Sequence, residues 1–399
     1  MRLRVPRIRF GTALGKAGKA QNEQIFLCSY SNKIHSAPRL ALRFRATIRR
    51  RCPFLMGKNW DILRLQGHIM KLPRRRFLLL AASTTALPAV SRVARAQTYP
   101  ARPIAVVVPF APGGGTDIAA RIVGEHMSRT LGQQLVVQNI AGAGGTVGSA
   151  RAMRADPDGY TILMGQMGTH AAAVALYPSL PYKPDVDFEP IGMVAAAPVV
   201  IVARKDFPPN DLKEFVAFVK ANFDKVNVGH AGVGSTFFTT CLMLDSILGV
   251  KPTLVPFNGG APAMSALVGG QVDYLCGDVL TSAPQLRAGA IKAYAIAAAA
   301  RDPALPNVPT TAEAGLAEYQ ASTWFALFAP KGTAAPILQK LTEALDQALD
   351  DGGVQKRLGE LGNVVPDKAS RGQQALRALV EREIARWTPI IRAANVKAE

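Results

Sequence analysis

The chain from Tyr99 onward predicts an α/β fold in two lobes, on three observations. Short apolar runs that look like buried strands alternate with longer stretches of helical periodicity. Three of the strands run out into glycine-rich loops, at 112–115, 142–145 and 232–234, and each loop precedes a helix start. The stretch is also roughly 300 residues long, more than one hydrophobic core commonly organises, which favours two.

The continuous apolar run that starts at Ile104 and leads to the glycines before Thr116 is the first predicted strand. After its glycine loop, Thr116 and Asp117 are cap-type residues, and Ile118, Ile122 and Met127 share one helical face. Gln134–Gln138 is a short strand, followed by the loop Asn139–Gly148 and a helix of small residues to about Ala155. Asp156–Gly159 is a turn and Tyr160–Met164 a third strand, which leads through the polar loop Gly165–His170 into helical Ala171–Ala175. The Pro- and Asp-rich connection Tyr182–Pro190 follows. Val199–Ala203 is a buried strand placed to cross into the second lobe.

In that lobe Asn210 or Asp211 caps a helix to Lys220, and Val226–Val228 is a strand ending at Gly229–Gly234. Ser235 and Thr236 start a helix with Phe237, Cys241 and Leu244 on one side. Leu254–Phe257, the helix Ala261–Val268 and the strands Gln271–Cys276 and Ala293–Ile296 come next. Ser322–Ala329 reads as a strand returning to the first lobe. Helices near Pro336–Leu349, Val354–Leu361 and Arg371–Ile391 close the chain.

The net charge of +19 suggests a nucleic-acid or anionic-membrane partner until the chain is divided. Residues 1–96 hold 21 of the 47 Lys and Arg but two acids, Glu23 and Asp61, which accounts for the whole excess. From Gln97 on, 26 bases meet 26 acids, so no nucleic-acid partner is expected. No apolar run in this body approaches the roughly 20 residues of a membrane span.

The basic quarter contains an export signal. Lys71–Arg76 is its charged segment, Phe77–Val90 its apolar segment and Ala94-Arg-Ala96 a small-x-small cleavage site, giving a mature start at Gln97. Arg74–Leu78 also fits the twin-arginine pattern, with Pro73 in place of the usual Ser or Thr, so both the twin-arginine and general secretory routes stay open. Export signals sit at N-termini, so Met70 is the expected true start. Residues 1–69 are then a disordered extension from a wrongly assigned start, and 70–96 is the signal peptide.

Several chemistries fail on spacing. Gly142-Ala-Gly144 tempts a dinucleotide reading, but the third glycine belongs at 147, where Val stands, and the distal acidic residue is missing. The opening loop lacks the Gly-Lys-Ser/Thr of nucleoside-triphosphate loops. No cofactor is expected. Gly232-Val-Gly234-Ser235 resembles a serine nucleophile turn faintly, yet Phe237 occupies the position where glycine is required; Ser235 is expected to cap a helix instead. His126, His170 and His230 are the three histidines of the body, and no His or Cys pair has metal-ligand spacing, so no metal is expected. Cys241 and Cys276 form either one disulfide or two buried thiols.

What survives is the strand–glycine loop–helix geometry. It aims bare N–H groups and a helix dipole at one point, a setting for a small anion. None of the three loops contains Lys or Arg, so backbone amides and hydroxyls would do the holding.

At this point the sequence resembles the solute-binding proteins of tripartite tricarboxylate transporters, often called Bug proteins, over about Tyr99–Glu399. The carriers are Tyr99-Pro-Ala-Arg-Pro-Ile104, Val108-Pro-Phe-Ala-Pro-Gly-Gly-Gly-Thr-Asp117, Asn139 with Gly142–Gly145, and Ala155-Asp-Pro-Asp-Gly-Tyr-Thr161. Asp187–Ile191, Gly234-Ser235, Gly269–Tyr274 and Leu305–Gly315 complete the set.

The resemblance implies a two-lobed periplasmic binding protein of type II, a Venus flytrap with mixed sheets and two crossover strands near Ala197–Val199 and Ser322–Trp324. Lobe 1 would be 97–198 with 323–399, and lobe 2 would be 199–322. It further implies a monomeric, non-catalytic protein that delivers a small carboxylate to membrane permease subunits. Ala111, Gly113, Gly114, Gly115 and Thr116, with Gly142, Ala143, Gly144, Gly145 and Thr146, would grip the carboxylate. Phe110 would wall the pocket. Gly168 and Thr169, with Ser235, Thr236 and Asp278 of the second lobe, would face the other end. Phe237 and Leu275-Cys-Gly277 depart from the family pattern there, which leaves di- or tricarboxylates, amino acids and aromatic acids all open. A sensor docking on a signalling receptor and a secreted hydrolase using Ser235 are the alternatives.

Overall fold

The computed structural model describes residues 99–394 and 396. The expectations placed on 1–69 and on the signal at 70–96 lie outside the described residues. The described chain carries two mixed sheets that share one long strand.

In the first sheet β1 (Ile104–Val108) lies parallel to β2 (Leu135–Asn139) and β3 (Thr161–Gln166). The late strand β9 (Ser322–Pro330) inserts antiparallel between β3 and β4 (Phe188–Arg204). Residues Phe188–Pro198 of β4 pair with β9, whereas Val199–Arg204 pair antiparallel with β7 (Tyr274–Asp278) and β8 (Ile291–Ile296) of the second sheet. There β5 (Asn227–His230) runs parallel to β7 and to β6 (Thr253–Pro256).

Strand β4 is longer than its sequence suggested, because Pro190, Gly192 and Pro198 mask the apolar alternation. The register shifts between Pro190 and Gly192 and again between Met193 and Ala195; prolines are tolerated in sheets at irregularities of this kind.

Helices clothe both faces of each sheet. On the first, α1 (Gly115–Leu131), α8 (Ala335–Asp350) and α9 (Gly352–Gly359) cover one face, meeting Val106, Val108 and Phe325. Helices α2 (Thr146–Met153), α3 (Ala173–Leu176) and α10 (Gly372–Ala393) cover the other. Trp387 anchors α10 with no exposure at all; truncating such a residue to Ala costs about 3–5 kcal/mol. On the second sheet, α4 (Leu212–Asn222) and α5 (Thr236–Leu248) pack against Val199, Ile201 and Tyr274. Helices α6 (Gly260–Val268) and α7 (Val279–Arg287) pack against Val200, Val202 and Leu275. Helix α7 was not expected, since Pro284 interrupts its pattern.

Caps follow chemistry in most places. Asp211 accepts the Glu214 N–H at 2.8 Å, and Ser235 accepts that of Phe238 at 3.2 Å. Thr116 and Asp117 are not the cap of α1: its N-cap is Gly114, and Asp117 lies within the first turn. Cys241 and Cys276 are free, buried thiols, with the Cys276 N–H donating to Cys241 Sγ at 3.1 Å.

The lobes touch. Phe238 and Leu242 of α5 share a cluster with Met167 and Trp324, and Leu280 of α7 joins the cluster of α1. Among the described residues no helix is long and apolar enough to cross a membrane.

Candidate functional site

Each parallel strand hands the chain to a helix at the cleft: β1 to α1, β5 to α5, β6 to α6, and β7 directly to α7. The carboxyl ends of strands are where open α/β sheets form crevices. Here four helix starts meet around one small cavity. Gly114, Gly115 and Thr116 come from α1, Ser235, Thr236 and Phe237 from α5, Gly260 from α6, and Asp278 is the N-cap of α7. Phe110, Gln166, Ala231 and Phe325 complete the wall. The wall contains no Lys or Arg. Each helix start carries about half a positive charge on its unpaired N–H groups, so the cavity favours an anion without any cationic side chain.

The amides of the opening loop are largely spoken for. Ala111 N–H donates across the cleft to the Asn258 carbonyl at 3.0 Å, position 112 is proline, and Gly113 N–H donates to Asp117 Oδ2 at 2.9 Å. Gly114 as N-cap has no side chain to offer α1, so a donor of its first turn turns elsewhere: Gly115 N–H donates to Thr281 Oγ1 of the other lobe at 3.0 Å. Gly114 and Thr116 contribute the remaining amides of the loop.

Asp117 holds this loop in shape. Arg121 Nε and Nη2 donate to its two oxygens at 2.9 Å each, and Asn139 Nδ2 donates to Oδ1 at 2.9 Å. Burial opposes ionisation of Asp117, yet these donors and the Gly113 N–H hold it below the usual carboxylate range. The buried Asp278 behaves oppositely. Burial raises its pKa, against the pull of the Thr281 N–H, which donates to Oδ1 at 2.7 Å.

A second, larger cavity of about 600 Å³ adjoins the first, sharing Phe110 and Ala231. Gly142–Gly145 and Tyr177 face it from the first lobe, and Gly232, Val233 and Asn258 from the second. The inner cavity measures about 20 Å³, room for one water rather than a solute. The lobes must therefore part for anything larger to enter.

Eleven of the sixteen expected site residues line these two cavities: Phe110, Gly114–Thr116, Gly142–Gly145, Ser235, Thr236 and Asp278. Ala111, Gly113, Thr146, Gly168 and Thr169 do not. Ala111 and Gly113 spend their amides as described, and Thr146 Oγ1 donates back to the Ala143 carbonyl at 2.9 Å. Gly168 is a contact between lobes, where an added Cβ would lie 2.4 Å from the Gly234 carbonyl oxygen. Thr169 is fully buried, its hydroxyl bonded to the Gln166 carbonyl at 3.1 Å.

The loop expected over Gly165–His170 is instead the end of β3 followed by a π-helical turn, Gly168–Ala172. It turns His170 into the core, stacked on Phe328 at 4.0 Å, where burial drives the imidazole pKa down to about 3. His230 is likewise buried and pushed down to about 4. Gln166, within the stretch Gly165–His170 that the family resemblance places at the far end of the ligand, does reach the cleft: its Oε1 accepts from Thr236 Oγ1. Sequence reasoning missed Tyr177 and Thr281, neither belonging to a glycine loop, and also Asn258, which precedes the pair Gly259-Gly260.

Comparison with known proteins places these features in context. The model of the tripartite tricarboxylate transporter family receptor matches residues 119–396. A protein of Agrobacterium vitis, from the TAR-I ttuE–ttuC′ intergenic region, is 42% identical over 80% of this chain and 92% of its own. BugT of Bordetella pertussis is 34% identical over 81% of this chain and 98% of its own. Among solved structures, MatC from Rhodopseudomonas palustris with bound malate is 49% identical, with a TM-score of 0.72, over 73% of this chain and 100% of its own.

Proposed function

The chain belongs to the tripartite tricarboxylate transporter receptor family, and on that premise we propose that it captures a small carboxylate between its lobes for delivery to membrane permease subunits. The convergence of four helix N-termini on a cavity wall without Lys or Arg carries this reading.

The carboxylate meets the amides of Gly114 and Thr116 and the hydroxyls of Ser235 and Thr236 with the lobes closed less tightly than in this structure, whose inner cavity holds one water. The body of the solute extends past Phe110 toward Gly142–Gly145 and the larger cavity. Closure excludes water, and charge-assisted hydrogen bonds of about 1.5–3 kcal/mol each make a few of them enough for micromolar affinity. MatC, the relative solved with malate, makes four-carbon dicarboxylates the first class to test.

The remaining parts of the reading follow from the sequence. The protein is exported through the signal at 70–96, cleaved after Ala96, and works in the periplasm as a monomer. Lobe 1 comprises 97–198 and 323–399 and lobe 2 comprises 199–322, which agrees with the change of pairing partner at Pro198 and Val199. The protein binds without turning its ligand over. Ser235 Oγ is engaged as the cap of α5, and His230 is held neutral by burial.

Titration calorimetry with L-malate, succinate and adipate against their diamides is the test. Micromolar binding of at least one acid, at least tenfold tighter than its diamide, supports the reading. Equal binding of acid and diamide overturns it.

A further inference from the structure

Tyr177, the residue that ends α3, places its hydroxyl between two carbonyl oxygens of different lobes. Ala143 O of the first lobe lies 2.9 Å away and Val233 O of the second lobe 2.6 Å away. A phenol has one proton and can donate to one of them at a time. The Ala143 carbonyl already accepts from the N–H and the Oγ1 of Thr146, so both of its lone pairs are served without Tyr177. Val233 O is the nearer acceptor and sits on the loop that feeds α5.

The surrounding backbone is shaped to let these loops meet. Gly144, at φ +60°, lies so close to Val233 O that a Cβ there would overlap it. A Cβ on Gly232 would stand 2.8 Å from Gly144 N, and one on Gly234 would stand 2.9 Å from Tyr177 Cε2. Glycine at all three positions brings backbone onto backbone under the tyrosine ring.

We propose that Tyr177 is the closure latch of the flytrap: its hydroxyl gains Val233 O of the other lobe as acceptor only when the lobes meet. No bond to the solute is involved, so the latch is separate from the carboxylate reading and adds to it. Tyr177 lies on the rim of the larger cavity, outside the wall of the inner one. It acts as a positioning residue, tying the shape of the Gly142–Gly145 loop to the closed state. Burial pushes the phenol pKa up to about 12, so the donor is present at every physiological pH.

The test compares wild type with Tyr177→Phe, which keeps the ring against Gly234 and removes the hydroxyl. Small-angle scattering of the unliganded proteins reads closure directly. The latch predicts a compact wild type and an expanded variant whose melting temperature stays near that of wild type. Equal radii of gyration, both compact or both expanded, overturn it. If Tyr177→Phe does not fold, Gly232→Ala opposes the same loop contact from the other lobe and must give the same expansion. With L-malate as probe, the variant should release ligand about 5–10-fold faster, the loss of one hydrogen bond, and should associate no more slowly than wild type, because its lobes already stand apart. Failure of L-malate to bind would shift the carboxylate reading to the other acids, while the scattering comparison still judges the latch.

Discussion

The carboxylate of Asp278 lies against the α-carbon of Gly115, so closely that a methyl group there would stand 2.8 Å from Oδ2 and 2.9 Å from Oδ1. The two residues belong to different lobes, so closure requires glycine at the first position of α1. Alanine is the better helix former by up to about 1 kcal/mol, and the unliganded first lobe should tolerate it well. Gly115→Ala is therefore expected to leave the melting temperature unchanged or raised, while affinity for L-malate falls at least tenfold. Calorimetric melting paired with binding titration checks both halves. Undiminished affinity would mean that the Asp278 carboxylate moves aside at no cost.

The fold was legible wherever one strand fed one helix. The apolar run beginning at Ile104 is a strand in the structure, ending at Val108, because a proline and then a glycine loop follow it. Strand β4 was not legible before Val199. Pro190, Pro198 and a run of small residues carry no apolar alternation, and the segment is a strand because β9, more than a hundred residues later in the chain, pairs with it. Helix α7 was hidden by Pro284, although Asp278 with Thr281 three residues later was a cap signal available to be read.

The site divides along the same line. The glycine loops announce themselves through the backbone freedom they need, whereas Gln166, Tyr177 and Thr281 matter for where tertiary packing points them. His170 shows the converse. Its loop-like surroundings made it look available, and a π-helical turn buried it on Phe328.

Asp245 predicts how stability depends on pH. It is buried in the second lobe, with the Tyr274 hydroxyl donating to Oδ1 at 2.9 Å, and burial raises its pKa to about 7. A raised folded-state value means that the contribution is fully present below the unfolded pKa of 3.8 and is lost as pH climbs toward 7. The loss across that window is at most about 4 kcal/mol at 1.36 kcal/mol per unit. The buried, neutral His170 and His230 add stability across the same window in both proteins, so denaturant unfolding from pH 4 to 8 should show Asp245→Asn gaining stability relative to wild type as pH rises. Parallel profiles would remove Asp245 as the source.

Ser235 separates capping from catalysis. Its Oγ accepts the Phe238 N–H, and replacing a serine cap with alanine costs about 1 kcal/mol. Ser235→Ala should lower stability by that amount and weaken L-malate binding, with no ester turnover in either protein. Measurable p-nitrophenyl acetate hydrolysis that disappears in the variant would restore the hydrolase reading.

The thiols give a prediction about covalent state. Cys241 Sγ accepts the N–H of Cys276, both residues are without solvent exposure, and burial pushes the Cys241 thiol well up. The thiolate is the reactive form, and attack or oxidation also needs access, so both routes are closed in the folded lobe. A chain beginning at Gln97, as proposed, holds these two cysteines and no others. A thiol reagent should label neither cysteine in the native protein and both after denaturation without reductant. Labelling that requires prior reduction would reveal a disulfide, and Cys276→Ser would then cost stability through loss of the cross-link. In the thiol form the same substitution keeps the backbone bond to Cys241 and costs only what a buried hydroxyl without a partner costs, about 1–3 kcal/mol.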